Sequence, residues 1–447
     1  MHSKGQGNGE RTHRSADARA PARPPQRHHR RKGAVFCVAT LLAASAFAGC
    51  SSQTGPPALT WYINPDNGTQ AKLAETCTTQ ANGKYRINTA LLPRESTGQR
   101  EQLVRRLAAQ DSGIDLMSLD VPYLAEFANA DFVRPFTDEE RQDLTEGMLE
   151  GPLEAAQWEE DLYAVPFNTN TQVLWYRKSV AEQAGLDIGP DAQLTWAQVI
   201  EAAEQTKTTV QVQGKRYEGY MVWINSLIMS AGGEILENPE AGKDVRPALD
   251  SEAGKRAAEV VKLLADSPAK AADLSNSDEG TTQAGFAADN GGFMTNWPFI
   301  FAAANDELRA DIGWARWPSV TEGEESRPPL GGIDLAIGAF TKHPDLAVEA
   351  VKCITSPESQ KTYTLAEGLL PTIESVYDDA DVKKAFPMAD LLRQSVDDAA
   401  PRPVTPYYPD ITEAVQRTWH PESGVGDGTP KSAADLIVAV LHDERLL

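Results

Sequence analysis

The chain has 447 residues, with 42 Lys and Arg against 64 Asp and Glu, so its formal net charge is −22. Such an acidic chain repels phosphate backbones and anionic lipid headgroups, which argues against a nucleic-acid partner. Its length exceeds what one hydrophobic core usually supports, so two domains are expected.

The N-terminus has the parts of a secretory signal. A run rich in Arg, His and Lys at 27–32 precedes an apolar block at 34–47, which small residues follow. This order is typical of an export signal, and the block is shorter than the roughly 17–25 apolar residues of a membrane-spanning helix. We predict a signal peptide over 1–49 and a mature chain outside the cytoplasm, with a net charge of −29 once nine basic and two acidic residues are removed.

Cys50 and the small residues before it resemble a bacterial lipobox, in which the Cys is lipidated and becomes the mature N-terminus. Phe47 stands where that motif prefers Leu, and an ordinary signal followed by a spare Cys is the alternative. Residues 51–57, SSQTGPP, are small, polar and Pro-rich, as expected of a flexible tether. Residues 50–57 are therefore predicted to be a lipid-anchored tether, and the lipid to be the only contact with the membrane.

Cysteine and histidine are sparse in the mature chain. Apart from Cys50 only Cys77 and Cys353 remain, and two Cys in an exported protein favour one disulfide, with two buried thiols as the alternative. The histidines are far apart in the sequence, so neither a metal cluster nor a cofactor is predicted: His343, His420 and His442.

Strands and helices alternate over the first part of the mature chain. Residues 59–63 are rich in aromatic and β-branched types and predict a strand that ends at the turn signal 64–68. The pattern continues with a helix at 69–81, a strand at 85–92, an amphipathic helix at 97–110 and a strand at 114–119. This alternation predicts a parallel sheet with helices on both faces. Ligands bind at the carboxyl ends of such strands. The predicted ligand-binding positions in this region are therefore 64–67, 94–96 and Asp120.

A second α/β region follows two extended pieces within 162–177, joined at 167–170. Thr195 and Gln198 have the spacing of a capping box, which predicts a helix to about residue 206. Further along the chain we predict a strand at 217–224, helices at 251–265 and after Asp278, a strand at 330–337, a helix at 344–355 and a helical C-terminal part interrupted at 400–403.

Several motifs in this order resemble one family. They are Val-Pro-Phe-Asn-Thr-Asn leading into Leu-Trp-Tyr-Arg-Lys, the block from Asp-Glu-Gly to Trp-Pro at 278–298, Gly-Gly-Ile before a strand, and the helix beginning at Pro344. Together they resemble the extracellular solute-binding proteins of bacterial ABC importers, specifically those that bind sugars. Residues 92–95, 118–120 and 169–172 are similar to the trehalose-binding lipoproteins of mycobacterial trehalose-recycling importers.

The resemblance implies an α/β, two-lobed periplasmic-binding-protein fold of type II, with the ligand cleft between the lobes. It implies crossovers near Asn168 and 312–317, so that lobe I takes 58–168 and 308–356, and lobe II takes 169–307 and 357–447. Cys353 would then share a lobe with Cys77, which supports a disulfide, although bridging needs a Cα separation that sequence does not provide.

A neutral sugar presents hydroxyl groups and apolar C–H faces to its site. Carboxylates, amides and an Arg suit the hydroxyls, and an aromatic ring suits the C–H face. Candidates lie at loops or strand ends, where sites tend to be built; helix capping, turn formation or an interlobe salt bridge are their alternative roles. Trp297 matches the aromatic residue that stacks against the sugar in this family. Trp223 and Tyr408 are weaker candidates for the same role. The predicted ligand-binding residues are Asp66, Glu95, Asp120, Asn170, Glu279, Trp297, Gly332 and Arg402.

These observations favour a non-catalytic receptor over an enzyme. The expected protein is a monomer that closes on a disaccharide, trehalose or a close analogue, and docks onto the membrane subunits of an ABC importer. The sequence lacks a nucleophile elbow, a zinc-protease motif and a phosphate-binding loop. An exported glycoside hydrolase that uses two of the carboxylates is the rival, and an adhesive lipoprotein without a cleft is a third possibility.

Overall fold

The computed structural model describes residues 55–189 and 192–447, and the predicted signal, Cys50 and most of the predicted tether lie outside this part. The chain begins with β1 Ala58–Ile63, α1 Thr69–Gln80, β2 Arg86–Leu91, α2 Ser96–Leu107, β3 Leu116–Asp120, α3 Leu124–Asn129, α4 Asp138–Leu144, α5 Glu150–Ala155, β4 Gln157–Trp158, β5 Asp161–Leu162 and β6 Ala164–Asn170.

The chain continues with β7 Val173–Arg177, α6 Lys178–Ala184, α7 Trp196–Thr206, β8 Thr209–Gln211, α8 Glu218–Ser230, β9 Leu236–Glu237, β10 Arg246–Pro247, α9 Glu252–Asp266, α10 Glu279–Ala287, β11 Gly291–Asn296, α11 Phe299–Ala303, α12 Asp306–Asp311 and β12 Ile312–Ala315. The last elements are β13 Gly331–Ile337, α13 Pro344–Ile354, α14 Pro357–Glu367, α15 Glu374–Tyr377, α16 Ala380–Ala385, α17 Ala389–Asp397, α18 Tyr408–Trp419 and α19 Thr429–Leu441.

Two main sheets define two lobes. The sheet of the first lobe has the order β2-β1-β3-β13-β6, and the sheet of the second lobe has the order β12-β7-β11-β8. In the first sheet β1 is parallel to β2 and β3, whereas β13 is antiparallel to β3 and β6. The α/β two-lobed fold is therefore confirmed, and β1, β2 and β3 are parallel as predicted. The complete sheet is mixed, because β13 returns from the second lobe in the opposite direction.

The chain changes lobe at places that differ from the expected boundaries. The first change falls between β6 and β7, close to the expected position. The second follows β12, since β12 pairs with β7 of the second sheet; the expected return to lobe I at residue 308 is thus too early. Helix α14 packs against α1 and α13 of the first lobe, so the expected start of lobe II at residue 357 is also too early.

Helix α8 replaces the strand predicted at 217–224. All of its residues except Met229 are buried. A helix that is buried on all sides has a mostly apolar sequence without a polar face. Periodicity cannot distinguish such a sequence from that of a buried strand. By contrast, the capping box predicted at Thr195 and Gln198 is present at the start of α7.

Aromatic residues fill the core of each lobe. Trp61 packs edge-on against Phe167 at 6.0 Å between ring centroids in the first lobe. In the second lobe, Trp196 packs edge-on against Trp223 at 5.6 Å and against Trp317 at 5.4 Å. Trp223, considered above as a stacking ring, is therefore a core residue, with 1% of its surface exposed.

Cys77 and Cys353 form a disulfide, with 5.8 Å between their Cα atoms. The bond joins α1 to α13, which are separated by 276 residues in sequence, and both helices belong to the first lobe. In the described part of the chain no helix is long and apolar enough to cross a membrane.

Candidate functional site

A cleft of about 760 Å³ lies between the two lobes, and both contribute to its lining. The first lobe supplies the segments that follow β1 and β2 and the end of β3, as expected for the carboxyl ends of parallel strands. The second lobe supplies the N-terminal ends of α8 and α10 and the segment after β11. The cleft lining includes all eight residues predicted from sequence: Asp66, Glu95, Asp120, Asn170, Glu279, Trp297, Gly332 and Arg402.

On the first-lobe side, carboxylates bind the chain itself. Asp66 accepts hydrogen bonds from the backbone N–H groups of Gly68 and Gln70, at 2.9 and 2.7 Å. Glu367 accepts from the side-chain amide of Asn67 at 2.8 Å and from the hydroxyl of Thr69. These bonds stabilise the turn between β1 and α1. Asp66 therefore has the alternative role named above, which is to shape the local turn.

Arg402 joins the two lobes at the buried end of the cleft. It donates to Glu218 at 2.7 Å and to Asp120 at 3.2 Å, and only 6% of its surface is exposed. Glu218 also accepts from the hydroxyls of Tyr408 and Thr412. Burial raises the pKa of Glu218, while the Arg402 charge opposes that shift. Arg402 therefore forms an interlobe salt bridge, which is the alternative to sugar contact named above. Its side chain also lines the cleft.

Sequence reasoning missed Glu218 because it lies within 217–224, which the sequence predicts to be a strand. As the first residue of α8, its side chain lies at a helix N-terminus beside the cleft. Anionic side chains are favoured at that end of a helix. Tyr408, weighed above as a second stacking ring, is fully buried and binds Glu218 instead.

Asp334 is a buried carboxyl group beside the Asp120 end of the site. One per cent of its surface is exposed, and within the described chain its Oδ2 atom has no hydrogen-bond partner. Burial, and then the charge of Asp120, raises the pKa of Asp334 well above its ordinary value. Folding therefore shifts the protonation equilibrium of Asp334 toward its neutral form relative to the unfolded chain.

The second-lobe side presents an aromatic ring and polar groups to the cleft. Trp297 is partly buried and follows β11, and its backbone N–H donates to the side chain of Asn296 at 2.8 Å. Glu279 opens α10 behind the capping box of Asp278, and burial raises its pKa. The hydroxyl of Tyr217 lies near Glu279 without a well-formed hydrogen bond, and burial followed by the Glu279 charge raises the pKa of Tyr217.

Two glycines allow close approach at the centre of the cleft. A Cβ atom on Gly331 would lie 3.0 Å from the Trp297 ring, and one on Gly332 would lie 2.5 Å from the carbonyl oxygen of Asn168. Gly332 also has φ of +148°, in a region that side chains disfavour. Gly331 thus makes room for the Trp297 ring against β13, and Gly332 allows β13 to lie close to the backbone of Asn168.

Several polar atoms of the cleft have no hydrogen-bond partner within the described chain. They are both donors and acceptors: Asn64 Oδ1, Asn168 Nδ2, Tyr217 Oη and Arg402 Nε. The sequence predicts Arg402 as a ligand-binding residue and places Asn64 in a predicted ligand-binding segment, but it does not indicate the other two residues. Buried polar groups are normally satisfied, but these four atoms are covered by protein in this arrangement of the lobes, so a ligand would reach them only when the cleft opens.

The charge of the cleft is negative. Seven lining residues are Asp or Glu and two are Arg, and one of the two, Arg402, is already bonded to two carboxylates. This balance disfavours a phosphorylated or otherwise anionic ligand. Within the described residues, no group of His, Cys, Asp and Glu is arranged to hold a metal ion.

The two-lobed fold and its interlobe cleft define a solute-binding protein. The family model of bacterial extracellular solute-binding proteins matches residues 72–389. The chain belongs to this family. Its members bind solutes outside the cytoplasm and are not enzymes.

Similar curated proteins include two whose names state a binding role. A probable ABC transporter-binding protein of Deinococcus radiodurans is 30% identical over 55% of this chain and 59% of its own length. The maltotriose-binding protein of Pyrococcus abyssi is 24% identical over 61% of this chain and 57% of its own length. The matches thus span under two thirds of these relatives.

Solved structures show the same fold over most of the chain. The maltose-bound MalE3 of T. maritima has a TM-score of 0.76 and 24% identity, covering 87% of this chain and 100% of that chain. The GacH receptor of Streptomyces glaucescens has a TM-score of 0.73 and 23% identity, covering 87% and 98%. At this level of identity the likeness shows the fold alone.

Proposed function

We propose that this protein is the receptor of an ABC importer for a neutral disaccharide, with trehalose or a close analogue as the solute. The observation that carries the proposal is the composition of the cleft, whose lining combines the aromatic residue Trp297 with carboxylates and amides. An aromatic ring can cover the C–H face of a sugar, while the polar atoms can bind its hydroxyls.

The relatives agree with a sugar in this cleft. The names of similar proteins include maltotriose and diacetylchitobiose, and that of a structural neighbour includes maltose. Trehalose itself is supported by the likeness of 92–95, 118–120 and 169–172 to the mycobacterial trehalose-binding lipoproteins. Each of these three segments contributes one residue of the first lobe to the cleft lining, namely Glu95, Asp120 and Asn170.

Delivery to the importer follows from closure of the two lobes around the solute. A ligand that binds the closed form more tightly shifts the open–closed equilibrium toward it, and the closed monomer docks onto the membrane subunits. Lipidation at Cys50 would hold the protein at the outer face of the membrane, with 50–57 as the tether. Release of a Cys50→Ser variant from the membrane fraction would support the anchor, whereas unchanged retention would contradict it.

The solute is tested by isothermal titration calorimetry on the chain from Ser51, with trehalose, maltose, sucrose, glucose and a phosphorylated sugar. We expect micromolar binding of trehalose, weak or absent binding of maltose, and no binding of the phosphorylated sugar because the cleft is negative. No heat with any of these sugars would remove the trehalose assignment. Tight binding of the phosphorylated sugar would contradict the neutral-ligand proposal.

A further inference from the structure

An ion pair connects the two lobes at the exposed edge of the cleft. Lys215 Nζ lies 2.8 Å from Glu95 Oε1. Glu95 lies between β2 and α2 in the first lobe, whereas Lys215 lies between β8 and α8 in the second. The distance between these two atoms therefore depends on how the lobes are arranged.

Lys215 is held in place by its own lobe. Its backbone N–H donates to the carbonyl oxygen of Ser277 at 3.0 Å, and the preceding Gly214 donates to the Ser277 hydroxyl at 3.3 Å. The ammonium also lies 5.3 Å from the centre of the Tyr217 ring, within the range of a cation–π interaction. These contacts position the ammonium at the cleft before it meets Glu95.

This edge pair differs from the buried pair between Arg402 and Asp120. The side chains of Lys215 and Glu95 are 36% and 56% exposed, and those of Arg402 and Asp120 are 5% and 17% exposed. Separating the buried pair leaves charges without compensation in a poorly solvated place. Separating the exposed pair costs little because water solvates both ions. The edge pair is therefore the one suited to form and break as the lobes move.

We propose that Lys215 and Glu95 form a latch that stabilises the closed arrangement of the lobes and slows release of the solute. The identity of the retained solute rests on the function proposed above, but the latch itself does not. Because both ions are exposed, salt weakens the latch. Glu95, predicted from sequence as a sugar contact, serves here as the first-lobe half of the latch.

The latch is tested without any ligand, by measuring the distance between the lobes. Spin labels are attached through Glu101→Cys on α2 and Glu259→Cys on α9, both exposed positions, and pulsed electron spin resonance gives the distance distribution. In Lys215→Met we expect the ratio of closed to open protein to fall by about two- to fivefold, the range of exposed ion pairs. Raising NaCl from about 20 to about 500 mM should also lower the ratio of closed to open protein for the parent, and it should have little further effect on the variant.

Two matched variants separate the latch from a general loss of charge. Lys84→Met removes an exposed ion pair with Glu349 within the first lobe, and it should leave the distance distribution unchanged. Lys215→Glu alone should open the protein further than Lys215→Met, and adding Glu95→Lys should restore the closed population. An unchanged distribution in Lys215→Met, or no restoration by the reversed pair, would overturn the latch. Because no sugar is present, a failure of the sugar assignment would leave these results intact.

Discussion

The two sides of the cleft use similar residue types in different ways. On the first-lobe side, Asp66 and Glu367 bind backbone and side-chain groups of the adjacent turn. On the second-lobe side, Trp297 presents a partly buried ring and the Tyr217 hydroxyl has no partner in the described chain. A polar residue that lines a cleft is thus not automatically available to a ligand. Asp66 and Glu367 stabilise the fold, whereas the Trp297 ring is left to contact a ligand.

The largest effect is expected at Arg402, which joins the two sides. In Arg402→Met the carboxylate of Glu218 stays buried without its cation, which should lower the free energy of unfolding by about 3–5 kcal/mol. Urea unfolding measures the loss. Lys431→Met, which removes an exposed ion pair with Asp435, should cost less than about 1 kcal/mol. Equal losses in the two variants would show that the buried pair has no special role.

Removal of the Trp297 ring should have the next largest effect. Trp297→Ala should weaken trehalose binding at least about tenfold, or about 1.4 kcal/mol, because the sugar loses its apolar contact surface. Calorimetry should place Trp297→Phe between the parent and the Ala variant. Trp158→Ala, at a partly buried Trp outside the cleft, should bind normally. Unchanged affinity in Trp297→Ala would remove this ring from the site.

A smaller loss of affinity is expected at Tyr217. Tyr217→Phe deletes the unpartnered hydroxyl and should weaken trehalose binding by about two- to tenfold, the value of one neutral hydrogen bond. The urea midpoint should change little, because the hydroxyl has no well-formed hydrogen bond within the described protein. A fall in stability with unchanged affinity would mean that the hydroxyl serves the fold.

The smallest effect on binding is expected at Asp66, on the opposite side. Asp66→Ala removes two acceptors of backbone N–H groups at the start of α1, so it should lower the free energy of unfolding by about 1 kcal/mol, as loss of a helix cap does. Trehalose affinity should change by less than about twofold. A tenfold loss of affinity at unchanged stability would instead place Asp66 in contact with the sugar.

Much of the cleft can be predicted from the sequence, because strand ends and turns are determined mainly by neighbouring residues. The positions after β1 and β2 and at the end of β3 were predicted from alternating strands and helices, and all three line the cleft. Glu218 and Tyr217 were missed because buried α8 does not show helical periodicity. The lobe assignment of β12 was missed because strand pairing is a long-range property.

The sequence alone determined the α/β class, the strand-end positions and the residue types that a sugar site needs, since these depend on neighbouring residues. Tertiary structure decided which polar atoms are occupied and which are free. Asn67 meets Glu367 across 300 residues, and Arg402 meets Asp120 across 282. Local patterns carry no information about such distant partners, and the partners determine whether a carboxylate holds the fold together or remains available to a ligand.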